Sequence, residues 1–375
     1  MRGFDHGSAA PNVFPGLAPS VGDVPEMADA QHVQSFLNFF GLAEQPFAAT
    51  ADPAYYYATA AHRECLFHLW NTIDERLGIG VVLGNYGTGK TTLLRKLLTG
   101  MRAQPEKYNT VVIASPIPSW TSFSLLESIT AQFGLQPETR SFVAYMDALY
   151  QYLLSSRDRI TTLIIDDAQN LNKRGQLELL RLVQNLETAQ HKLLNLVLFA
   201  QVEWIPVLRA APNFEQRISM TYTLGSIGLQ DTRNLIQFRL RQAGAGELAP
   251  VFDESAIRVI HAYADGSPRV TVTLARNALL LAYQLRTRQI GQAVVLHTIQ
   301  RTTMPDEEKR ARAANAVVAS DDNRTVFDFT PQSEPVLFSS NESRRNGTSV
   351  AARANSMLLR AVRTHPDRVT HEQRF

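Results

Sequence analysis

The eight residues GNYGTGKT at 84–91 constrain this chain more than any other stretch. They fit the pattern G-x-x-x-x-G-K-[ST]. They also stand between IGVVLG at 79–84, an apolar run of strand length, and TTLLRKLL, whose apolar spacing is helical. A strand, a glycine loop and a helix in that order make a cradle for a dense anion. Gly87 and Gly89 let the backbone curl so that successive N–H groups point inward, at the positive end of the helix. A triphosphate suits such a cradle. Lys90 can reach its β- and γ-phosphates, the Thr91 hydroxyl can ligate Mg²⁺, and Thr92 is a further candidate at the α-phosphate. Gly84, Asn85, Tyr86, Gly87, Thr88 and Gly89 complete the expected binding loop, with ATP and Mg²⁺ as its ligands.

The other half of such a site is a carboxylate at the end of a neighbouring buried strand, and TTLIIDDAQNL at 161–171 supplies one. Asp166, directly after Leu163-Ile164-Ile165, is expected to hold Mg²⁺ through water. Asp167 follows in position to polarise the attacking water. Either aspartate also suits a plainer role as a helix N-cap at a strand end. TVVIA at 110–114 and helical segments between 121 and 156 separate the loop from the acidic pair. That spacing places an additional strand between the two motif strands, the arrangement of ATPases that use a glutamate base. With LNLVLFA at 194–200 and ISMTYTL at 218–224, the expectation is a five-stranded, mostly parallel sheet of order 5-1-4-3-2 in an α/β fold. The alternation in ISMTYTL places that strand nearer an edge.

After about residue 225 the pattern is helical alone. Asp231 is expected to cap one helix and Gly244 to stop it, Asp253 to cap the next, and Ser267-Pro268 to open a third. A last helix is expected over 291–302. The expected organisation is an N-terminal arm at 1–33, an α/β nucleotide-binding domain at 34–225, a helical lid at 226–304 and a largely disordered tail at 305–375. SMLLRAV at 356–362 suits either a transient helix in that tail or a docking helix.

Composition narrows the class. With 375 residues, 45% of them apolar, the chain can bury a substantial core. A net charge of +2 does not by itself imply a polyanionic partner. The single cysteine, Cys65, excludes an internal disulfide framework and is expected to be a buried helix residue. No apolar run approaches the ~18 residues of a membrane span, and MRGFDHGSAAPNVFPGL lacks the pattern of a signal peptide, so the expectation is a cytoplasmic protein with no membrane insertion.

FFGLAEQPF with the following DPAYYY, GNYGTGKTTLLRKL, IIDDAQNL, LELLRLVQNLET, KLLNLVLFAQVE and GSPR occur in that order between about 36 and 300. In these motifs the chain resembles AAA+ ATPases of the general secretion pathway protein A (ExeA) type, with relatives among transposition regulators of the TnsC/TniB kind. The resemblance implies a P-loop NTPase of the AAA+, ASCE type. It implies that Gln201 senses the γ-phosphate, that Arg217 reaches a neighbouring subunit's nucleotide, and that Arg269 in GSPR is a second sensor reporting to the lid. It also implies Glu where this chain has Asp167, one methylene shorter, so slow hydrolysis is expected. Secretion-type members continue into a membrane anchor and a peptidoglycan-binding part; neither is expected here, so the layout is expected to be closer to the transposition-type relatives.

Two function classes follow. One is an ATPase whose nucleotide state controls self-assembly into a ring or filament, with double-stranded DNA and a recombination protein as candidate partners. The other is an accessory ATPase of secretion or envelope assembly with a protein partner. A module that binds ATP without hydrolysing it is a third, non-enzymatic, form. Arg286 and Arg288, together with Arg344, Arg345, Arg353, Arg360, Arg363, Arg368 and Arg374, supply cations for DNA, or equally a solvated surface.

Overall fold

Short apolar runs without alternation have both faces to bury, which a parallel sheet between two helical layers allows. A computed structural model of the chain describes residues 35–48, 53–246 and 251–318. Its five strands are β1 (Ile79–Gly84), β2 (Tyr108–Ile113), β3 (Ile160–Ile165), β4 (Asn195–Ala200) and β5 (Ile218–Leu224). They lie in the order β2-β3-β4-β1-β5, every neighbouring pair parallel. Read from the other edge this is the expected 5-1-4-3-2. Every residue of β1, β3 and β4 is buried, whereas β5 alternates as an edge strand does.

Alternate residues of each strand serve opposite layers. Ile79, Val81 and Leu83 of β1, Leu163 and Ile165 of β3, and Leu196 and Leu198 of β4 share one core. That layer is built by α4 (Ser122–Gln132), α5 (Phe142–Ser155), α6 (Arg174–Gln184) and the short α7 (Ile205–Arg209) and α8 (Pro212–Glu215). Val82, Ile164, Val197 and Phe199 face the other way, onto α2 (Ala60–Asp74) and α3 (Lys90–Arg102), where Cys65 is fully buried.

A third core belongs to α9 (Leu229–Gln242), α10 (Glu254–Ala264), α11 (Pro268–Gln284), α12 (Gln292–Thr302) and α13 (Glu307–Val318). Phe36 and Leu37 of a short helix at 35–40, α1, pack into it with Leu42, Phe47 and Tyr55. The aromatic segment expected at the head of the α/β domain therefore buries its rings against the helical part. Its backbone is tied there as well, Ala43 N–H donating to the Ala243 carbonyl at 2.7 Å.

Two local expectations are corrected. Asp231 lies in the first turn of α9 and the N-cap is Gly228, while the Asp231 carboxylate accepts from the Tyr57 hydroxyl at 3.1 Å. As expected, Ser267 is the N-cap of α11 and Pro268 occupies its first turn, the serine hydroxyl making no capping bond. Residues 307–318, expected in a disordered tail, form α13, and Ala313 is fully buried. Asp253 does cap α10, accepting from Ala256 N–H at 2.8 Å, and Gly244 follows α9 with φ +89°. The expected arm at 1–33, the segment 356–362 and the tail arginines from Arg344 onward lie outside the described residues.

Candidate functional site

In a parallel sheet the carboxyl ends of the strands share one edge, and the register brings three of them together. Leu83 lies opposite Ala200 of β4, and Ile165 of β3 lies opposite Leu198. The loop after β1, the acidic pair after β3 and Gln201 after β4 therefore converge.

The glycine loop runs from Gly84 into α3, whose N-cap, Gly89, has φ +98°. Gly87 has φ +83°, so two of the loop glycines occupy the left-handed region that a side chain disfavours. The loop closes on itself through the Thr88 hydroxyl, which donates to the Asn85 carbonyl at 2.9 Å. Lys90 is 9% exposed, and its ammonium donates to the carbonyls of Gly84 at 2.7 Å and Asn85 at 3.0 Å. Burial pushes the Lys90 pKa down, against the pull of Asp166, Asp167 and Glu203. Thr92 is half-buried in the first turn of α3.

Asp166 is 8% exposed. One carboxylate oxygen accepts from the Thr91 hydroxyl at 3.0 Å and the other from Asp167 N–H at 3.0 Å. Burial raises its pKa, and the two hydrogen bonds oppose that rise. Asp167 has φ +50°, a conformation Asp tolerates better than most residues, and Oδ1 accepts from Gln169 Nε2 at 3.0 Å. The other end of the Gln169 amide accepts from Gln201 N–H at 3.1 Å. Gln169 thus bridges the acidic pair to the end of β4. Gln169 lies within IIDDAQNL, yet the sequence singles out only the two aspartates there, because the glutamine's contact with Gln201 exists only once the fold brings β3 and β4 together.

Arg269 reaches the loop from the first turn of α11. Its guanidinium lies over the Tyr86 ring, 4.8 Å from the centroid, and Nη1 donates to the Tyr86 hydroxyl at 2.5 Å. Arg269 N–H also meets the Gly87 carbonyl at 3.4 Å. Arg217 lies elsewhere. It precedes Ile218, which pairs with Ile79, whereas the loop follows Gly84, which pairs with Leu224. At about 3.3 Å per residue, Arg217 lies roughly 20 Å from its own loop, at the opposite edge of the sheet. There it lines an open cleft of about 600 Å³ with Arg181, Lys192 and Gln184.

The residues present fit ATP and Mg²⁺. The loop presents helix-terminal N–H groups with a lysine at its base, and Thr91 with Asp166 offers the hard oxygen donors magnesium takes. Among the described residues no cluster of three His, Cys, Asp or Glu could hold a metal. A Thr–Asp pair leaves room for the waters and phosphate oxygens that Mg²⁺ retains.

Comparison with known proteins agrees with this geometry. Residues 73–208 match the AAA domain family. The chain is 34% identical over 254 residues to general secretion pathway protein A of Aeromonas hydrophila, an alignment covering 66% of this chain and 45% of that protein. The chain thus spans less than half the length of that relative. Among solved structures it is similar to Cdc6p from Pyrobaculum aerophilum, with a TM-score of 0.53 at 18% identity over 68% of this chain and 71% of the other. It is also similar to the Aeropyrum pernix ORC2 protein, solved as ADPNP and ADP complexes, with a TM-score of 0.51 at 16% identity over 65% and 68%. The fold is that of the P-loop AAA+ ATPases. None of the described helices is long and apolar enough to cross a membrane.

Proposed function

We propose that this chain is an ATP-dependent assembly switch: it binds ATP with Mg²⁺ in the Gly84–Thr91 loop, and it hydrolyses that ATP slowly, when a second copy completes the site. The observation that carries the reading is the 3.0 Å bond between the Thr91 hydroxyl and Asp166, which joins the end of the glycine loop to the end of β3. A hydroxyl and a carboxylate held together beside a phosphate cradle are the two protein contacts a P-loop makes to Mg²⁺.

Each residue has a separate task. Lys90, parked on loop carbonyls, turns to the β- and γ-phosphates, exchanging two neutral acceptors for charged ones. Mg²⁺, when bound, neutralises charge on the phosphate oxygens. Asp167 orients the attacking water and accepts its proton. Its shorter side chain and the Gln169 bond to Oδ1 leave Oδ2 for that work. Gln201 reads the γ-phosphate from the end of β4, and Arg269 leaves Tyr86 for the nucleotide as the lid settles. Arg217, remote from its own loop, stabilises transition-state charge in a neighbouring subunit. Hydrolysis is then conditional on assembly into a ring or filament.

The partner belongs to one of two classes. The identity to general secretion pathway protein A favours a protein partner in a secretion or envelope system. Double-stranded DNA with a recombination protein, as for a transposition-type regulator, is the competing class. ATP turnover and sedimentation with and without duplex DNA, at two salt concentrations, separate them. A DNA partner requires ATP-dependent binding that weakens steeply with salt. Turnover and assembly indifferent to DNA leave the protein-partner class. A chain that binds no ATP in the presence of Mg²⁺ overturns the whole reading.

A further inference from the structure

A buried histidine lies against the glycine loop. His62, 4% exposed, sits in the first turn of α2 with both ring nitrogens engaged. Nδ1 lies 2.6 Å from the Thr59 hydroxyl oxygen and Nε2 lies 3.0 Å from the Thr88 carbonyl oxygen. A carbonyl can only accept, so Nε2 carries the proton and Nδ1 takes the Thr59 hydroxyl's. The Thr59 oxygen also accepts from His62 N–H at 3.3 Å as the N-cap of α2. One residue thus caps the helix and fixes the tautomer. Burial lowers the pKa of the ring, which favours the neutral form this arrangement uses.

The consequence lies on the far side of one peptide. In a trans peptide the carbonyl of one residue and the N–H of the next point in opposite directions, and the described chain has no cis bonds. Holding the Thr88 carbonyl on His62 therefore turns the Gly89 N–H away from α2. Gly89 is the N-cap of α3, where N–H groups have no intrahelical acceptor and are free for an anion. A glycine next to this peptide removes the steric restraint that would otherwise hold it in place. The fit is close: a Cβ at Gly89 would lie 2.8 Å from His62 Nε2.

We infer that His62 is a positioning residue for nucleotide binding, pinning the Thr88–Gly89 peptide so that the Gly89 N–H faces the phosphates, while Thr59 holds the imidazole in the donating tautomer. The inference rests on the reading of the loop as an ATP site and adds a residue outside the P-loop motif.

The test is the dissociation constant for ATP in the presence of Mg²⁺, with the thermal midpoint of the nucleotide-free protein as the folding control. His62→Leu removes the donor at similar bulk and is expected to bind ATP about tenfold more weakly, the effect of losing one hydrogen bond's worth of preorganisation. His62→Gln restores an N–H donor to the Thr88 carbonyl and is expected to recover most of that loss. A packing role alone would give no such rescue. His62→Leu within twofold of the parent, or His62→Gln as weak as His62→Leu, overturns the inference. Should His62→Leu not fold, Thr59→Val and Thr59→Ser decide it. Thr59→Val keeps the ring and loses the hydroxyl, with an expected weakening of about threefold; Thr59→Ser retains affinity. Equal affinity of those two overturns the inference. A parent that binds no ATP overturns both this inference and the site it rests on, whereas a parent that binds with unaltered His62→Leu overturns the inference alone.

Discussion

In the proposed function catalysis turns on Asp167, whose surroundings bear on what a one-methylene difference does. Gln169 holds one oxygen, and the left-handed backbone sets where the carboxylate begins. Asp167→Ala is expected to leave ATP binding intact and to remove turnover, which binding titration and single-turnover kinetics read separately. Asp167→Glu is expected to raise turnover, because the longer arm brings a base toward its water; a rate below the parent's would remove Asp167 from the role of base. A second residue-scale prediction concerns pH. Burial lowers the pKa of His62 and of His261, so the folded state binds fewer protons than the unfolded one as pH falls below the usual histidine value. Their contribution is constant above that value and becomes destabilising as pH falls through it towards their folded values. The thermal midpoint of the nucleotide-free protein should therefore drop on acidification through about pH 6.5, and His62→Gln should flatten part of that slope.

At the scale of elements, the loop and the start of α11 meet at Gly87. A Cβ there would lie 2.6 Å from Ser267 Oγ and 3.1 Å from Arg269 Cβ, on a backbone with φ +83°. Gly87→Ala is expected to cost about 1–3 kcal/mol of stability by urea unfolding and to weaken ATP binding, since strain and crowding fall on the same peptide. Ala313 probes α13. It is fully buried in the helical core, and Ala313→Leu is expected to cost about 1–3 kcal/mol by overpacking; an unchanged midpoint would mean that α13 does not pack there. These elements differ in how legible they are. IGVVLG has nowhere to go but the middle of a sheet, and the spacing of its loop from the acidic pair carries the strand order. EEKRARAANAVV has no broad apolar stripe to announce a helix, because what it buries includes so small a residue as Ala313. The rings of FFGLAEQPF suit burial, but nothing in their own spacing says against what. Gln169 and His62 were illegible for a related reason: each acts through a contact with a segment far away in sequence, Gln201 for the one and Thr88 for the other, and no motif assigns either of them a role.

The whole molecule places its nucleotide loop at one edge of the sheet and Arg217 at the other, so a subunit cannot bring the two together by itself. The fold and the loop were legible because they depend on local patterns, whereas the role proposed for Arg217 depends on a neighbour that one sequence does not contain. Arg217→Ala is expected to bind ATP as the parent does and to lose turnover. Asp167→Ala keeps Arg217 and loses its own chemistry. The most direct measurement is ATP turnover per subunit in an equimolar mixture of these two variants, across a range of protein concentrations and beside each variant alone. The account predicts that each is inactive alone, that the mixture recovers a measurable fraction of parental turnover, and that both mixture and parent gain specific activity with concentration. A mixture that stays inactive beside a parent whose specific activity is independent of concentration would contradict it.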